Sequence, residues 1–250
     1  MSDQNPISRD RFDAVLFDLD GVITDTAKMH AACWKRMFDE YLQKRSTTIG
    51  GVFHPFDIAT DYTLYVDGKT RFDGVRDFLR ARGIQLPEGT PDDPSEQETI
   101  WGLGNRKNEL VNEVIVSTGI VPYPGTVALV HHLLRQSIRT AVVTSSQNCD
   151  AVLRESGLNN LFEVRVDGNV IHEQGLAGKP EPDAFLMAAR LLGVNPKRAV
   201  VVEDAISGVK AGRNGNFGLV IGVARKGNVE ELKQHGADVV VNDLGELLDQ

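Results

Sequence analysis

The sequence predicts an α/β protein: a doubly wound parallel sheet with helices on both faces, and a mostly α-helical domain inserted after the first strand. Five short apolar runs carry the sheet. They are too short for helices and rich in β-branched residues, as expected of strands buried on both faces. From about Val121 onward, helical patterns alternate with these runs, as in parallel strands joined by crossover helices. Between about His30 and Thr118 that alternation stops and helical periodicity takes over, which argues for the insertion. The expected core is Rossmann-like, built from residues 1–28 and 119–250, with residues 29–118 as the insert.

In chain order, the polar residues 1–9 are expected to fray, and the first strand is Ala14–Phe17 (AVLF). The insert should hold helices over 31–44, 74–82 and 97–118, separated by polar, Gly- and Pro-rich breaks such as LPEGTPDDPSEQ at 86–97. Its linkers fall near residues 26–28 and 119–124. Strand 140–143 (TAVV) leads to a helix over 147–155, with Asn148 in the capping position and Gly157 as the stop. Pro182 opens another helix, whose apolar stripe runs through Ala184, Phe185, Met187, Ala188, Leu191 and Leu192 to Gly193. Strands 199–202, 218–223 and Val239–Val241 complete the sheet.

A formal net charge of -8 argues against a nucleic-acid or anionic-membrane partner, which would want a basic footprint. A pocket can still be locally positive, so an anionic small molecule stays open. Cys33 and Cys149 are isolated, with neither metal-ligand spacing nor a disulfide framework, and a reducing compartment is the default. The N-terminal residues show no signal-peptide pattern and no run approaches membrane-spanning length, so a cytoplasmic protein is the expectation. A monomer is expected.

The strongest local signal is FDLDG, residues 17–21. A strand ends in Asp18 and Asp20, and period-2 geometry puts both on one side of the chain, roughly 7 Å apart at Cα. Open α/β sheets bind ligands at this carboxyl edge. Two anions held together need a cation or a shared proton, and hard oxygen ligands suit Mg²⁺. Glu203 and Asp204 follow the strand AVVV in the same way. Thr144, Ser145 and Ser146 follow TAVV, where hydroxyls and turn N–H groups can cradle phosphate oxygens. Lys179, in GKPEPD, can neutralise a phosphoryl oxygen, and Pro180 biases it to an extended backbone. Each feature has a bland alternative, such as a polar strand end, a serine-rich turn, a surface lysine or an acidic loop. Their conjunction at strand ends is much harder to attribute to chance.

The order Asp-x-Asp-Gly, Thr/Ser, Lys, Glu-Asp resembles the haloacid dehalogenase superfamily. DLDGVITDTAKMH, SSQN, GKPEPDAF and VVVEDAISGVKAG look like its β-phosphoglucomutase-like branch. The resemblance implies a Mg²⁺-dependent phosphoryl-transfer enzyme with Asp18 as nucleophile and Asp20 as general acid and base. It implies Mg²⁺ held by Asp18, the backbone carbonyl of Asp20, Glu203 and Asp204, with Thr144 and Lys179 on the transferring group. The insert would be the helical cap. There Gly68 and Arg71 of DGKTR would hold the substrate's second phosphate, joined by Ser146 and Asn148 of SSQN. Trp34 matches a substrate-side aromatic and Lys107 a cap lysine reaching the active site, while Trp34 is equally readable as core packing. His30 reads either as a hinge residue for cap closure or as a helix-surface histidine.

Two departures stand out. Gln147 replaces the lysine expected in the distal-phosphate loop, and the insert is long around residues 84–103. The implied substrate is a hexose phosphate, with interconversion of β-glucose 1-phosphate and glucose 6-phosphate as the leading expectation. A sugar-phosphate or small-metabolite phosphatase is the alternative. A phosphonate hydrolase would need a Schiff-base lysine, for which Lys69 or Lys28 would have to serve. A non-catalytic phosphosugar-binding protein is the reading from another class, and filled catalytic positions argue against it.

Overall fold

The structure, a computed structural model, describes residues 6–248. Its sheet has six strands: β1 (Ala14–Phe17), β2 (Arg139–Val143), β3 (Val164–Val166), β4 (Ala199–Glu203), β5 (Leu219–Val223) and β6 (Val239–Val241). They lie in the order β3-β2-β1-β4-β5-β6, every pair parallel. The chain winds outward from β1 in both directions, so the β1/β4 boundary is a topological switch point, where such sheets open a crevice at the strand ends. The register brings those ends level: Phe17 pairs with both Val142 and Val202, and Glu203 with Gly222.

The sheet exceeds the sequence expectation by one strand. β3 reads VRV, too short for an apolar run. It sits at the edge, where Arg165 turns outward to Asp150 at 2.6 Å. The helices of the sheet unit are α4 (Pro124–Arg135), α5 (Cys149–Glu155), α6 (Gly168–Glu173), α7 (Asp183–Leu191), α8 (Ile206–Asn214) and α9 (Val229–Gln234), following α1 to α3 described below. α7 buries Ala184, Phe185, Ala188 and Ala189 against Leu16, Val143 and Val201; of the expected stripe, Leu192 is also buried, Met187 is partly buried and Leu191 is exposed. Val209 of α8 and Leu232 of α9 cover Val220 in a second cluster.

Two local expectations are corrected. α5 begins at Cys149, and Asn148 holds the N-cap position without a side-chain capping bond. Of the residues expected to fray, 1–5 lie outside the described residues. Ile7, however, is buried, and Ser8 O accepts from the amides of Arg11 and Phe12, so the chain is tied down before β1. The Lys179–Pro180 peptide is cis.

The chain forms two compact units, one from Met1–Asp25 and Ile120–Gln250, the other from Thr26–Gly119. The second contains α1 (Ala27–Ile49), a π-helical segment (Ile58–Val66), α2 (Arg71–Ala81) and α3 (Ile100–Thr118). α1 extends past the expected 31–44 at both ends, α2 begins three residues before 74, α3 begins at Ile100 rather than 97, and the π-helical segment has no sequence counterpart. The loop at 86–97 is built around Asp93, whose carboxylate accepts from the Thr90 hydroxyl at 2.8 Å and the Thr99 hydroxyl at 2.6 Å. The core of this unit is aromatic. Phe38 is fully buried and touches the rings of Trp34, Phe56 and Phe78 at centroid distances of 5.4, 5.3 and 4.1 Å.

Phe38→Ala removes the ring all three share, so it is expected to cost about 3–5 kcal/mol. Urea unfolding followed by tryptophan fluorescence checks this. An unchanged midpoint would contradict the central place given to that ring.

Candidate active site

β1 is apolar for four residues and then meets Asp18, whose amide continues the ladder to Val202 O at 2.9 Å. The chain then turns tightly: Ile23 N and Thr24 N donate to Leu19 O, and Gly21 N donates to Thr24 O. Gly21 has φ +90, a region costly for residues with a Cβ. A Cβ there would also lie 2.2 Å from Asp204 Oδ2. The glycine after the second aspartate is thus required twice, by the turn and by the approach of Asp204.

Asp18 and Glu203 are buried, and Lys179 joins them. Its Nζ donates to Asp18 Oδ1 at 2.6 Å, Glu203 Oε1 at 2.5 Å and Val143 O at 3.3 Å, which uses all three ammonium protons. Glu203 Oε2 accepts from the amides of Asp204 and Ala205 at 3.0 and 3.1 Å, which satisfies both of its oxygens. The loop carrying Lys179 is held by Asn214 Nδ2 on Pro180 O at 3.1 Å and by Ala177 N on Asp183 Oδ2 at 3.1 Å.

Burial raises the Asp18 pKa well above the usual carboxylate range. Lys179 opposes that shift, while Glu203 and Asp20 add to it. Burial works against the Lys179 ammonium, but the charges of Asp18 and Glu203 and their hydrogen bonds outweigh it and raise its pKa. Lys179 is therefore a fixed cation.

Among the described residues, Asp18, Glu203 and Asp204 each offer a carboxylate oxygen within 4.8 Å of the others, all buried. Three carboxylates against one ammonium leave net negative charge in a low-dielectric place. That donor set fits a hard divalent cation, which bonds oxygen at about 2.0–2.6 Å. The Asp20 side chain is outside this trio and half-buried beside it.

At the end of β2, Thr144 is buried, and its amide donates to Val166 O at 2.9 Å. The next residues fold back on it. Ser146 N donates to Thr144 Oγ1 at 3.1 Å and Asn148 N to Ser146 Oγ at 3.2 Å. Ser145, Ser146, Gln147 and Asn148 are half-buried in this turn. Asp18, Thr144, Lys179, Glu203 and Asp204 thus gather at one edge of one sheet.

The remaining candidates lie in the Thr26–Gly119 unit. Gly68 takes φ +70 in the turn before α2, and Arg71 is the first residue of that helix. Arg71 Nε and Nη1 are buried with no hydrogen-bond partner among the described residues, and burial lowers its pKa to about 10. Its guanidinium carbon lies 5.0 Å from the Phe72 ring centroid. Lys107 Nζ and His30 Nδ1 are 2.7 Å apart, both residues buried, and the ammonium is 5.1 Å from the Trp34 ring centroid. His30 is therefore an interior residue, and Trp34 belongs both to the aromatic core and to this trio. Lys69 is paired with Asp77 at 2.7 Å.

A family model described as haloacid dehalogenase-like hydrolase matches residues 12–216. The chain belongs to that family. It is 51% identical over 238 residues to a β-phosphoglucomutase of Mycobacterium tuberculosis (strain CDC 1551 / Oshkosh), covering 94% of this chain and 91% of that protein. Among solved structures, β-phosphoglucomutase (pgmB) from Clostridium difficile superposes with a TM-score of 0.71 at 25% identity, covering 94% of this chain and 93% of that one. A hydrolase from Pseudomonas syringae gives 0.76 at 22% identity, over 95% and 96%, and supports the fold. The chain is a β-phosphoglucomutase-like enzyme of the haloacid dehalogenase superfamily.

For a member of this family, two glycines matter more than their sequence context suggests. Besides Gly21 there is Gly208 in α8, where a Cβ would lie 1.8 Å from Glu203 Oε1. The motif VVVEDAISGVKAG therefore specifies a helix that passes against the glutamate's side chain. Among the described residues no helix is long and apolar enough to cross a membrane.

Gly208→Ala is expected to push Glu203 off Lys179 while leaving helix propensity improved. Turnover should fall about 10–100-fold, and more divalent cation should be needed for half-maximal activity. Wild-type metal dependence in that variant would contradict the geometry.

Proposed function

We propose that this enzyme is a Mg²⁺-dependent phosphotransferase that works through an aspartyl-phosphate on Asp18 and interconverts β-glucose 1-phosphate and glucose 6-phosphate. The observation that carries this reading is the buried cluster in which Lys179 bridges Asp18 and Glu203 beside Asp204. Phosphoryl transfer asks little of a protein beyond in-line positioning and charge neutralisation. A carboxylate attacks an anionic phosphate only where cations offset the repulsion.

In this reading an Asp18 oxygen bonds to phosphorus as the bond from phosphorus to the sugar oxygen breaks. Asp20 gives a proton to the departing oxygen, then takes one from the hydroxyl that next attacks the phosphorylated Asp18. Lys179 stays protonated and faces the transferring group, and the Thr144 hydroxyl, which accepts from Ser146 N, keeps its own proton for a phosphoryl oxygen. Asp18, Glu203 and Asp204, with the Asp20 carbonyl, would hold Mg²⁺, which would supply further charge neutralisation.

The sugar is argued from the 51% identical mycobacterial β-phosphoglucomutase and from Arg71. A buried guanidinium whose donors lack partners among the described residues is suited to an anion, and a bisphosphorylated intermediate brings a second phosphate. The Thr26–Gly119 unit would serve as the cap that excludes water. Gln147, in place of a lysine, favours the second reading, in which water resolves the phosphorylated Asp18 and the enzyme is a sugar-phosphate phosphatase.

The test offers β-glucose 1-phosphate with a trace of glucose 1,6-bisphosphate and quantifies glucose 6-phosphate and free phosphate separately. Glucose 6-phosphate in large excess is expected, and stoichiometric phosphate release would install the phosphatase reading. Arg71→Ala should cost about 2–5 kcal/mol with hexose phosphates, tens-fold or more in kcat/KM, and little with acetyl phosphate. Equal losses on both would remove Arg71 from the distal-phosphate role.

A further inference from the structure

Arg225, just beyond β5, places its Nε and Nη1 bonds inside the sheet unit, while its Nη2 is buried with no hydrogen-bond partner among the described residues. Its Nε donates to Gly21 O at 3.0 Å, and its Nη1 donates to Asn242 O and Asp243 Oδ2, each at 2.9 Å. Its guanidinium carbon lies 3.6 Å from the Tyr123 ring centroid, and its side chain is only 15% exposed. Each of these partners is itself fixed. Asp243 Oδ1 accepts from Gly245 N at 2.8 Å within a capping box. Tyr123 donates its hydroxyl to Asp25 Oδ1 at 2.9 Å and its amide to Ile23 O at 2.9 Å, while Asp25 N donates to Val121 O at 3.0 Å.

The loop that Arg225 grips holds Asp20. Inside it, the bonds from Ile23 N and Thr24 N to Leu19 O and from Gly21 N to Thr24 O close the turn on itself. From outside, the later part of the turn is tied through Val22 O, which accepts from Thr126 Oγ1 at 2.7 Å, and Ile23 O, which accepts from Tyr123 N at 2.9 Å. Gly21, at positive φ, is the residue with most freedom to rotate, and it is packed against the Asp204 carboxylate. The bond from Arg225 to Gly21 O fixes the far side of that residue from outside the turn.

We propose that Arg225 is a positioning residue for Asp20: by clamping Gly21 O against a frame made of Asp243, Asn242 and Tyr123, it sets where the Asp20 carboxyl and carbonyl point. This deepens the functional reading above and rests on it, since it takes Asp20 as the proton donor to the leaving oxygen. The guanidinium suits the task because its planar fork reaches three oxygens in different directions, which a lysine ammonium on its flexible stem cannot match.

The experiment compares wild type, Arg225→Gln and Arg225→Lys at saturating Mg²⁺ on β-glucose 1-phosphate and on para-nitrophenyl phosphate. Thermal melting reports folding. An outer-shell partner of this kind is worth about 10–100-fold. That loss is expected in kcat on the sugar phosphate, with KM little changed. Nitrophenolate leaves without protonation, so its turnover should fall far less. Arg225→Lys should recover part of the loss, and should Arg225→Gln fail to fold, the lysine variant is read in the same way. Equal losses on the two substrates, or none, overturn the inference. Amide hydrogen exchange tests it independently of activity. Gly21 and Thr24 amides should lose protection in the variants while β1 and β4 keep theirs, and unchanged protection overturns the inference. A wild type that turns over neither substrate would refute the functional reading alone, and the exchange result would still decide the role of Arg225.

Discussion

Burying like charges together is the constraint around which the sheet unit is organised. Asp18, Glu203 and Asp204 converge at the ends of β1 and β4, and all three are buried. Removing charges from water costs several kcal/mol per ion unless each is paired and hydrogen-bonded. The chain meets that cost locally. Lys179 places all three protons on Asp18, Glu203 and Val143 O, and the Asp204 and Ala205 amides close off the other Glu203 oxygen. Gly21 and Gly208 remove the Cβ atoms that would keep backbone from approaching these carboxylates. Even so, burial raises the Asp18 pKa, with Glu203 and Asp20 adding to it, and the three converging carboxylates fit a divalent cation.

Much of the sheet was legible because parallel strands buried on both faces leave an unambiguous mark. AVLF and AVVV have no helical reading, and the acidic residues that end them are hard to place anywhere but a strand edge. β3 was not legible because Arg165 sits at its centre and a three-residue edge strand buries too little to need an apolar run. α5 was legible only approximately. Asn148 has the right identity for a cap, yet the turn at 144–148 engages its amide with Ser146 Oγ instead. Arg225 was invisible in sequence because its partners are mostly carbonyls, which leave no side-chain signature.

In the helical unit the sequence named the residues but not their condition. Lys107 and Arg71 were both read as cations for a phosphosugar, and the structure separates them. The Lys107 ammonium is already engaged by His30 Nδ1 and lies over Trp34. Arg71 keeps buried donors without partners among the described residues. A cation already hydrogen-bonded inside its own unit and one with donors to spare differ in what an arriving anion offers them. Only three-dimensional packing reveals that difference. Trp34 packs in the Phe38 core, as its core-packing reading expects, and the Lys107 ammonium lies 5.1 Å from its ring centroid.

The account stands on Asp18 as the atom donor to phosphorus, and that can be read chemically. The enzyme would be charged with acetyl phosphate in the presence of Mg²⁺, quenched in acid and reduced with borohydride, which converts an aspartyl-phosphate to homoserine. Peptide mapping by mass spectrometry should then find homoserine at position 18, with every other carboxylate intact. Homoserine at another aspartate, or none while phosphoryl transfer proceeds, would contradict the account.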